Sequence, residues 1–155
     1  MNESDMIKIF LGMGGFVLTL GIIGYVFTSI SYMKIFKSYN YAHPGYAFIP
    51  LYNLYILADL TCKDHFKIGE FRVEKKYFVW WWLIAIVIGF IPVLGKFIQF
   101  VIIIVAEGYC RKVAFTKLDR KYSDSIIAYI SVIIPIIMWF IVIPSKKIYY
   151  NDSDE

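Results

Sequence analysis

Charged residues are confined to a few short segments of this chain, and long uncharged stretches separate them. The uncharged stretches cover residues 9–33, 38–58, 77–95, 97–106 and 125–145. A helix needs about 20 apolar residues to cross a bilayer core about 30 Å thick, and several of these stretches approach or exceed that length. The pattern therefore predicts a membrane protein built from helices.

The composition agrees with this prediction. Hydrophobic residues make up 59% of the chain and aromatic residues 19%, whereas a soluble domain is about 45–50% apolar. With 155 residues, there is room for one helical unit of about four spans and none for a separate soluble catalytic domain. We expect an all-α, polytopic membrane protein with a single integral domain over residues 1–155.

The first apolar stretch, over residues 7–33, is predicted to be a retained helix. Its start is acidic, whereas a signal peptide begins with a basic region and has an apolar stretch of only 7–15 residues. Gly14, Gly21 and Thr28 recur at heptad spacing, which places small residues on one face where another backbone can approach. Packing within the chain is the simpler interpretation of this face, and a dimer contact is the alternative.

The distribution of Lys and Arg predicts the orientation, because short cytoplasmic loops carry an excess of both. If the first helix runs inward, segments 34–76 and 111–121 are cytoplasmic and hold 12 of the 16 basic residues. Both termini then lie outside the cytoplasmic (plasma) membrane. The expected transmembrane helices cover about 7–33, 77–94, 97–113 and 125–144.

The stretch from 77 to 113 must supply two of these helices. Pro92 and Gly95, next to Lys96, favour a tight turn at the outer surface. One long kinked span is the alternative, but it would place Arg111 outside and weaken the charge asymmetry. The tryptophans at 80–82 follow two lysines and are typical of an aromatic belt at the membrane interface.

Segment 39–62 is uncharged as far as Ala58 but does not resemble a regular span. Pro44, Gly45 and Pro50 interrupt it, and it contains Asn53 and five tyrosines. Irregular backbone at membrane depth requires protein or water to satisfy its polar groups. We expect an interfacial or re-entrant element here, with a helix from about 51 to 62.

Three short motifs stand out in the chain: Pro44-Gly45-Tyr46, then Ile49-Pro50-Leu51-Tyr52-Asn53, and later Ile91-Pro92. Together they form one pattern. It resembles a family of uncharacterised small bacterial integral membrane proteins with a Pro-Gly-aromatic and Ile-Pro-x-Tyr-Asn signature, over about residues 32–115. Some members are labelled signal-peptidase-like, but this chain lacks the serine motif of that enzyme. The resemblance implies a membrane fold and transfers no activity.

Two segments share the pattern Ala-acid-x-x-Cys-base, at Asp59 and at Glu107. On a helix, Asp59 with Lys63 and Glu107 with Arg111 are i,i+4 pairs in the favourable order, so local neutralisation explains both. An ionisable residue within a span is also a functional candidate. The candidate ligand or partner residues are Pro44, Gly45, Tyr46, Pro50, Tyr52, Asn53, Asp59 and Glu107.

Cys62, His65 and Cys110 are weak candidates for a metal site, because zinc accepts thiolate and imidazole ligands but no paired Cys-x-x-Cys motif is present. No cofactor is expected. The net charge of +4 belongs to cytoplasmic loops, where basic residues attract anionic lipid headgroups, so nucleic-acid binding is not needed to explain it.

The sequence thus favours a non-enzymatic integral membrane protein that serves as an accessory, interaction or immunity-type subunit. Its partners would be the lipid bilayer and either another membrane protein or further copies of itself. The alternative is a small transporter or channel subunit with a polar site near Asn53, Asp59 and Glu107. A membrane-embedded enzyme ranks third.

Overall fold

The computed structural model describes residues 2–68, 70–118 and 126–145. The described chain is mostly helical, which confirms the predicted helical class, although it also contains one short β-hairpin. In order, the elements are α1 (Glu3–Ser38), a 3-10 helix (Pro44–Phe48), α2 (Tyr52–Thr61), β1 (His65–Ile68), β2 (Phe71–Glu74), α3 (Lys75–Phe78), α4 (Trp81–Gly89), α5 (Leu94–Leu118), α6 (Ile127–Ile133) and α7 (Pro135–Val142).

Helix α1 dominates the molecule. Its 36 residues extend about 54 Å at 1.5 Å per residue. Every described side chain from Asn2 to Ile23 is exposed, and full burial begins only at Ser29. Among the described residues, the stretch Ser4–Ser38 of this helix is the one candidate that meets the length and hydropathy expected of a membrane span.

After α1 the chain turns back along the same helix. The Tyr25 hydroxyl donates to the Phe48 carbonyl oxygen at 2.8 Å, so the 3-10 helix lies beside α1 more than three turns before its end. Leu51 then adopts a positive φ of 65°, and α2 follows where a helix was expected. Segment 39–62 therefore folds back beside α1, with a helix in its second half as expected.

The charged linker between α2 and α3 contains the β-hairpin, which the sequence analysis did not predict. Strands β1 and β2 are antiparallel, and their register pairs His65 with Glu74 and Phe66 with Val73. The Phe66 ring also packs on Phe78, with ring centroids 4.5 Å apart. This contact fixes the hairpin against the start of the next helical segment.

Helices α4 and α5 form an antiparallel hairpin. Near the turn, the Gln99 side chain of α5 lies against Gly89 of α4. Toward the other end of α5, the ring of Tyr109 lies beside that of Phe78, in α3 just before α4, with ring centroids 6.0 Å apart. The turn occupies residues 90–93. Gly95 was expected in this turn, but it lies in the first turn of α5. The structure has two helices here and not one kinked helix.

The segment expected to form one span over 125–144 is divided within its described part. Helices α6 and α7 meet at Pro135, where Ile134 leaves helical geometry with φ −119° and ψ 84°. Pro135 has no N–H and its ring clashes with the preceding turn, which explains the break. Helix α6 packs on α5, where the Tyr129 ring lies against Gly108.

Helix α7 packs on α1. The indole N–H of Trp139 donates to Thr28 Oγ1 at 3.2 Å, and its ring lies 5.3 Å from that of Phe27. Further along both helices, the Lys34 ammonium donates to the carbonyl oxygen of Ile143, four residues after Trp139, at 2.7 Å. Residue numbers increase in the same direction along both helices, so α7 runs parallel to the second half of α1.

Candidate functional site

A buried polar cluster lies where α1, α5 and α6 meet. We call Tyr32, Glu107, Arg111 and Ser131 the Arg111 cluster. The Tyr32 hydroxyl donates to Glu107 Oε1 at 2.6 Å, and Arg111 Nε donates to the same oxygen at 3.1 Å. Arg111 Nη2 also donates to Glu107 Oε1 and to the Tyr32 hydroxyl oxygen, the latter at 3.2 Å.

The other terminal nitrogen of Arg111 faces α6. Nη1 donates to the Ser131 carbonyl oxygen and, at 3.2 Å, to the Ser131 hydroxyl. A guanidinium has five N–H donors in a fixed fork, and the five contacts match that number. The side chain is therefore fully used by its neighbours.

The Ser131 carbonyl needs such a donor because of Pro135. In a continuous helix this carbonyl would accept from the N–H of residue 135, but proline has none. Arg111 supplies the missing hydrogen bond from a neighbouring helix. The buried cation thus satisfies the backbone at the helix break and neutralises Glu107 at the same time.

The Arg111 cluster is buried, so the loss of any of its contacts would be costly in free energy. The side chains of Arg111 and Glu107 are 4% and 11% exposed, and Tyr32 and Ser131 are fully buried. Removing one partner of a buried ion pair costs about 3–5 kcal/mol because the other charge is left uncompensated. The arrangement is that of a structural connection between three helices, with the carboxylate occupied by internal donors.

The predicted pairing of Glu107 with Arg111 is confirmed, whereas that of Asp59 with Lys63 is wrong. Asp59 Oδ1 instead lies 2.9 Å from Lys75 Nζ, and both side chains are partly exposed. Helix α2 ends at Thr61, so Lys63 is not in the helical position that an i,i+4 pair requires. The pair ties α2 to the start of α3.

Asn53 is buried in the first turn of α2 and donates from Nδ2 to the Ala47 carbonyl oxygen at 3.1 Å. This bond closes the connection that contains Pro50, between the 3-10 helix and α2. Asn53, Asp59 and Glu107 therefore each have a different partner. Among the hydrogen bonds and ion pairs of the described residues, none joins two of these three side chains.

The aromatic candidates form a continuous surface that sequence reasoning did not assemble. Pro44 and Gly45 begin the 3-10 helix, which places Tyr46 within reach of Tyr52. Tyr46, Tyr52 and Trp80 are 38%, 40% and 47% exposed. We call this the aromatic surface, and its rings follow one another at centroid distances of 5.2–6.1 Å in the order His43, Tyr46, Tyr52, Tyr55, Trp80, Trp82.

The weak metal candidates do not form a site in the described part of the chain. Cys62 and Cys110 are buried free thiols, and His65 Nδ1 lies 3.3 Å from Arg72 Nη2 on the β-hairpin. No group of three or more His, Cys, Asp or Glu side chains suited to a metal ion occurs among the described residues. Burial is the main cause that raises the pKa of the Cys62 thiol.

Sequence reasoning missed Tyr32 and Ser131. Tyr32 lies 75 residues from Glu107, and no local spacing indicates that contact. Ser131 carried one signal, since it stands four residues before Pro135 and its carbonyl must lose a helical donor. No family model matches the chain, and neither a curated protein nor a solved structure matches it.

Proposed function

We propose that this chain is a non-enzymatic integral protein of the cytoplasmic membrane that acts as an accessory subunit of another membrane component. The observation that carries this proposal is the first half of α1. Beyond its charged first turns, its side chains are largely apolar and exposed on every face, including Phe10 at 81% and Leu11, Phe16 and Val17 at 66–68%. Such a surface requires lipid or protein around it.

The length of α1 supports contact with a partner protein in addition to lipid. The helix extends about 54 Å, whereas a bilayer core is about 30 Å thick. Gly14 and Gly21 have open space where a Cβ would lie, so the small-residue face expected to pack within the chain is unoccupied at both positions. A partner helix could approach closely there.

The multi-pass arrangement is part of the same proposal. Helix α5 has 25 residues, enough to cross, and its interior charges at Glu107 and Arg111 bind each other. The return crossing expected over 77–94 would include α4 and the turn after it, because α3 and α4 alone are shorter than the bilayer core. The exposed apolar turn, with Phe90 83% and Val93 87% exposed, would face the membrane.

The aromatic surface would lie at the cytoplasmic interface. Trp and Tyr rings prefer the headgroup level, and Lys75 and Lys76 precede this tryptophan cluster directly. Basic side chains at that level attract anionic headgroups by about 1 kcal/mol each. The resemblance to small bacterial membrane proteins involves this same segment and belongs to the proposal.

The transporter alternative has less support. It required a polar site that includes Asn53, Asp59 and Glu107, yet each of these side chains is bound to a separate neighbour. Glu107 accepts from Tyr32 and Arg111, which accounts for a buried carboxylate without a substrate. The accessory role is therefore the function we propose.

The test is affinity purification of the tagged protein from native membranes in mild detergent after light crosslinking. We expect a partner at a fixed ratio, lost in a Gly14→Leu/Gly21→Leu variant and kept in the Gly12→Leu control, since all three glycines lack neighbours within the chain. A Tyr46→Ala variant asks separately whether the aromatic surface contributes. Recovery of the chain alone, as a monomer or a self-oligomer, would contradict the accessory role.

A further inference from the structure

The direction of α7 determines on which side the chain continues after Val142. Trp139 lies beside Thr28 and Ile143 beside Lys34, so α7 approaches the end of α1 that carries Lys34. The Lys34–Ile143 hydrogen bond places both residues at the same end of the molecule. A helix crossing from one side of the membrane to the other would have separated them by about 30 Å.

The start of α6 lies toward the same end. Ser131, one turn into α6, binds Arg111, and Arg111 in turn binds Tyr32, two residues before Lys34. The Lys117 ammonium, at the end of α5, lies 4.3 Å from the Tyr39 ring centroid, just beyond α1. Helices α1 and α5 therefore end together, and α6 begins within about nine residues of Leu118 along the chain.

The bend between α6 and α7 lies deeper. Trp139 packs against Gly24 as well as Thr28, and Pro135 is one helical turn earlier on α7. Gly24 is ten residues before Lys34, a distance of about 15 Å along the helix. That is about half the thickness of a bilayer core.

A bend at that depth needs its backbone groups satisfied, because lipid provides no hydrogen bonds. Arg111 donates to the Ser131 carbonyl that Pro135 leaves free. Broken helices held at mid-membrane by such contacts occur in membrane transporters. The geometry of the break thus suits a position inside the membrane.

We infer that α6 and α7 form a re-entrant helical hairpin that enters from the Lys34 side, turns at Pro135 and returns to the same side. The inference rests on the proposed membrane location. It revises the expected external C-terminus, because Ser145 then lies on the side of Lys34 and Lys37. Lys146 and Lys147 follow directly, which raises the cytoplasmic share to 14 of the 16 basic residues.

Three single-cysteine variants test this arrangement: Asn2→Cys, Lys37→Cys and Ser145→Cys. Each is treated with a membrane-impermeant maleimide in intact and in permeabilised cells, and the unaltered protein controls for the buried native thiols. We expect Asn2→Cys to react in intact cells, and Lys37→Cys and Ser145→Cys to react only after permeabilisation. Reaction of Ser145→Cys together with Asn2→Cys would overturn the re-entrant hairpin and leave the membrane location intact.

The same accessibility at all three positions, whether they react only after permeabilisation or equally in intact cells, would instead remove the membrane location itself. A second measurement keeps the inference testable if a cysteine variant is poorly produced. Fluorescent protein and alkaline phosphatase are fused separately after Glu155 of the otherwise unaltered chain. Fluorescence without phosphatase activity is expected, and the reverse pattern would overturn the inference.

Discussion

At the scale of single residues, Arg111 determines how the buried polar groups are satisfied. A guanidinium can bind a carboxylate, a hydroxyl and a carbonyl at once because its donors form a planar fork, whereas a lysine ammonium is a compact point charge. Its neighbours belong to three helices, so one side chain connects α1, α5 and α6. This connection explains why an ion pair lies in an interior whose other described buried side chains are uncharged.

Replacing Arg111 with alanine should cost about 3–5 kcal/mol in the free energy of unfolding, because the Glu107 carboxylate loses its counter-charge and the Ser131 carbonyl loses its donor. Lys75→Ala is the matched control, since it breaks the half-exposed pair with Asp59 and exposed pairs contribute at most about 1 kcal/mol. Circular dichroism monitors the denaturation of each variant in detergent and gives the loss in its free energy of unfolding. Equal losses would show that the cluster is not a principal source of stability.

The Tyr32→Phe variant isolates one hydroxyl of the cluster. Its loss removes a hydrogen bond to the Glu107 carboxylate, and bonds to charged groups contribute about 1.5–3 kcal/mol. Tyr25→Phe also removes a hydroxyl from α1, but that group is exposed and binds the Phe48 carbonyl, so its loss should cost less. The same unfolding measurement compares them, and a larger loss for Tyr25→Phe would contradict the assignment.

The sequence predicted part of this cluster. Glu107 and Arg111 stand one turn apart on one helix, so their pairing follows from spacing. Tyr32 and Ser131 reach Arg111 across 79 and 20 residues, and only the packing of separate helices brings them there. Asp59 shows the converse, because a helix that ended before Lys63 changed its partner.

At the scale of elements, close helix contacts depend on small residues at particular positions. Gly108 lies against the Tyr129 ring, and a Cβ there would collide with it. Gly12 lies on the exposed part of α1 with nothing within 4 Å of a Cβ. These two glycines therefore provide a matched pair.

Gly108→Ala should lower the free energy of unfolding by about 1–3 kcal/mol, the usual cost of overpacking. Gly12→Ala should leave it unchanged or raise it by up to about 1 kcal/mol, because alanine favours helix more than glycine does. Unfolding in detergent tests both variants. A neutral Gly108→Ala would mean that Tyr129 can move aside and that α5 and α6 pack loosely.

The bend between α6 and α7 depends on Pro135. A Pro135→Ala variant regains the N–H that can bond to the Ser131 carbonyl, and the two helices can then join. In a Lys34→Cys/Ile143→Cys background, we expect a short bis-maleimide to crosslink the parent efficiently and the Pro135→Ala variant poorly. The native thiols Cys62 and Cys110 are both buried, so they compete weakly for the reagent.

A Tyr25→Cys/Phe48→Cys pair controls for general disruption, because it reports on the contact between α1 and the 3-10 helix. Its crosslinking should be the same with and without the Pro135→Ala substitution. Equal crosslinking of the Lys34 and Ile143 positions in both backgrounds would show that tertiary packing maintains the bend without the proline. Pro135 was visible in the sequence, but hydropathy alone does not reveal a change of direction.

At the scale of the whole molecule, the protein consists of a packed body and a helix that extends beyond it. The buried residues belong to the second half of α1 and to the elements that follow. The sequence predicted the helical class, because hydropathy carries that information, and it predicted the helix that became α2 (Tyr52–Thr61) after the proline-rich segment. It did not predict the β-hairpin, although both strands, His65–Ile68 and Phe71–Glu74, alternate polar and apolar residues. Each strand has only four residues, and the charges of this linker were interpreted as the mark of a cytoplasmic segment.

Deletion of residues 4–14 tests this division. The remaining part of α1, residues 15–38, still extends about 36 Å and can cross a bilayer core. The deletion removes the Asp5–Lys8 contact at the surface, and the side chains described within residues 4–14 are all exposed, so the melting temperature in detergent should stay the same. Co-purification of the proposed partner should be lost, because the exposed apolar turns that contact it are gone.

The two readouts separate two roles for this part of α1. A lower melting temperature would mean that the extended helix supports the packed body, as it would if it folded back on the chain in the membrane. An unchanged melting temperature with an unchanged partner would place the partner contact elsewhere, with the aromatic surface as the next region to test. The Arg111 cluster and its three helices remain complete when the first turns of α1 are deleted. Loss of the partner with an unchanged melting temperature therefore assigns those turns to partner recognition, and no other outcome does.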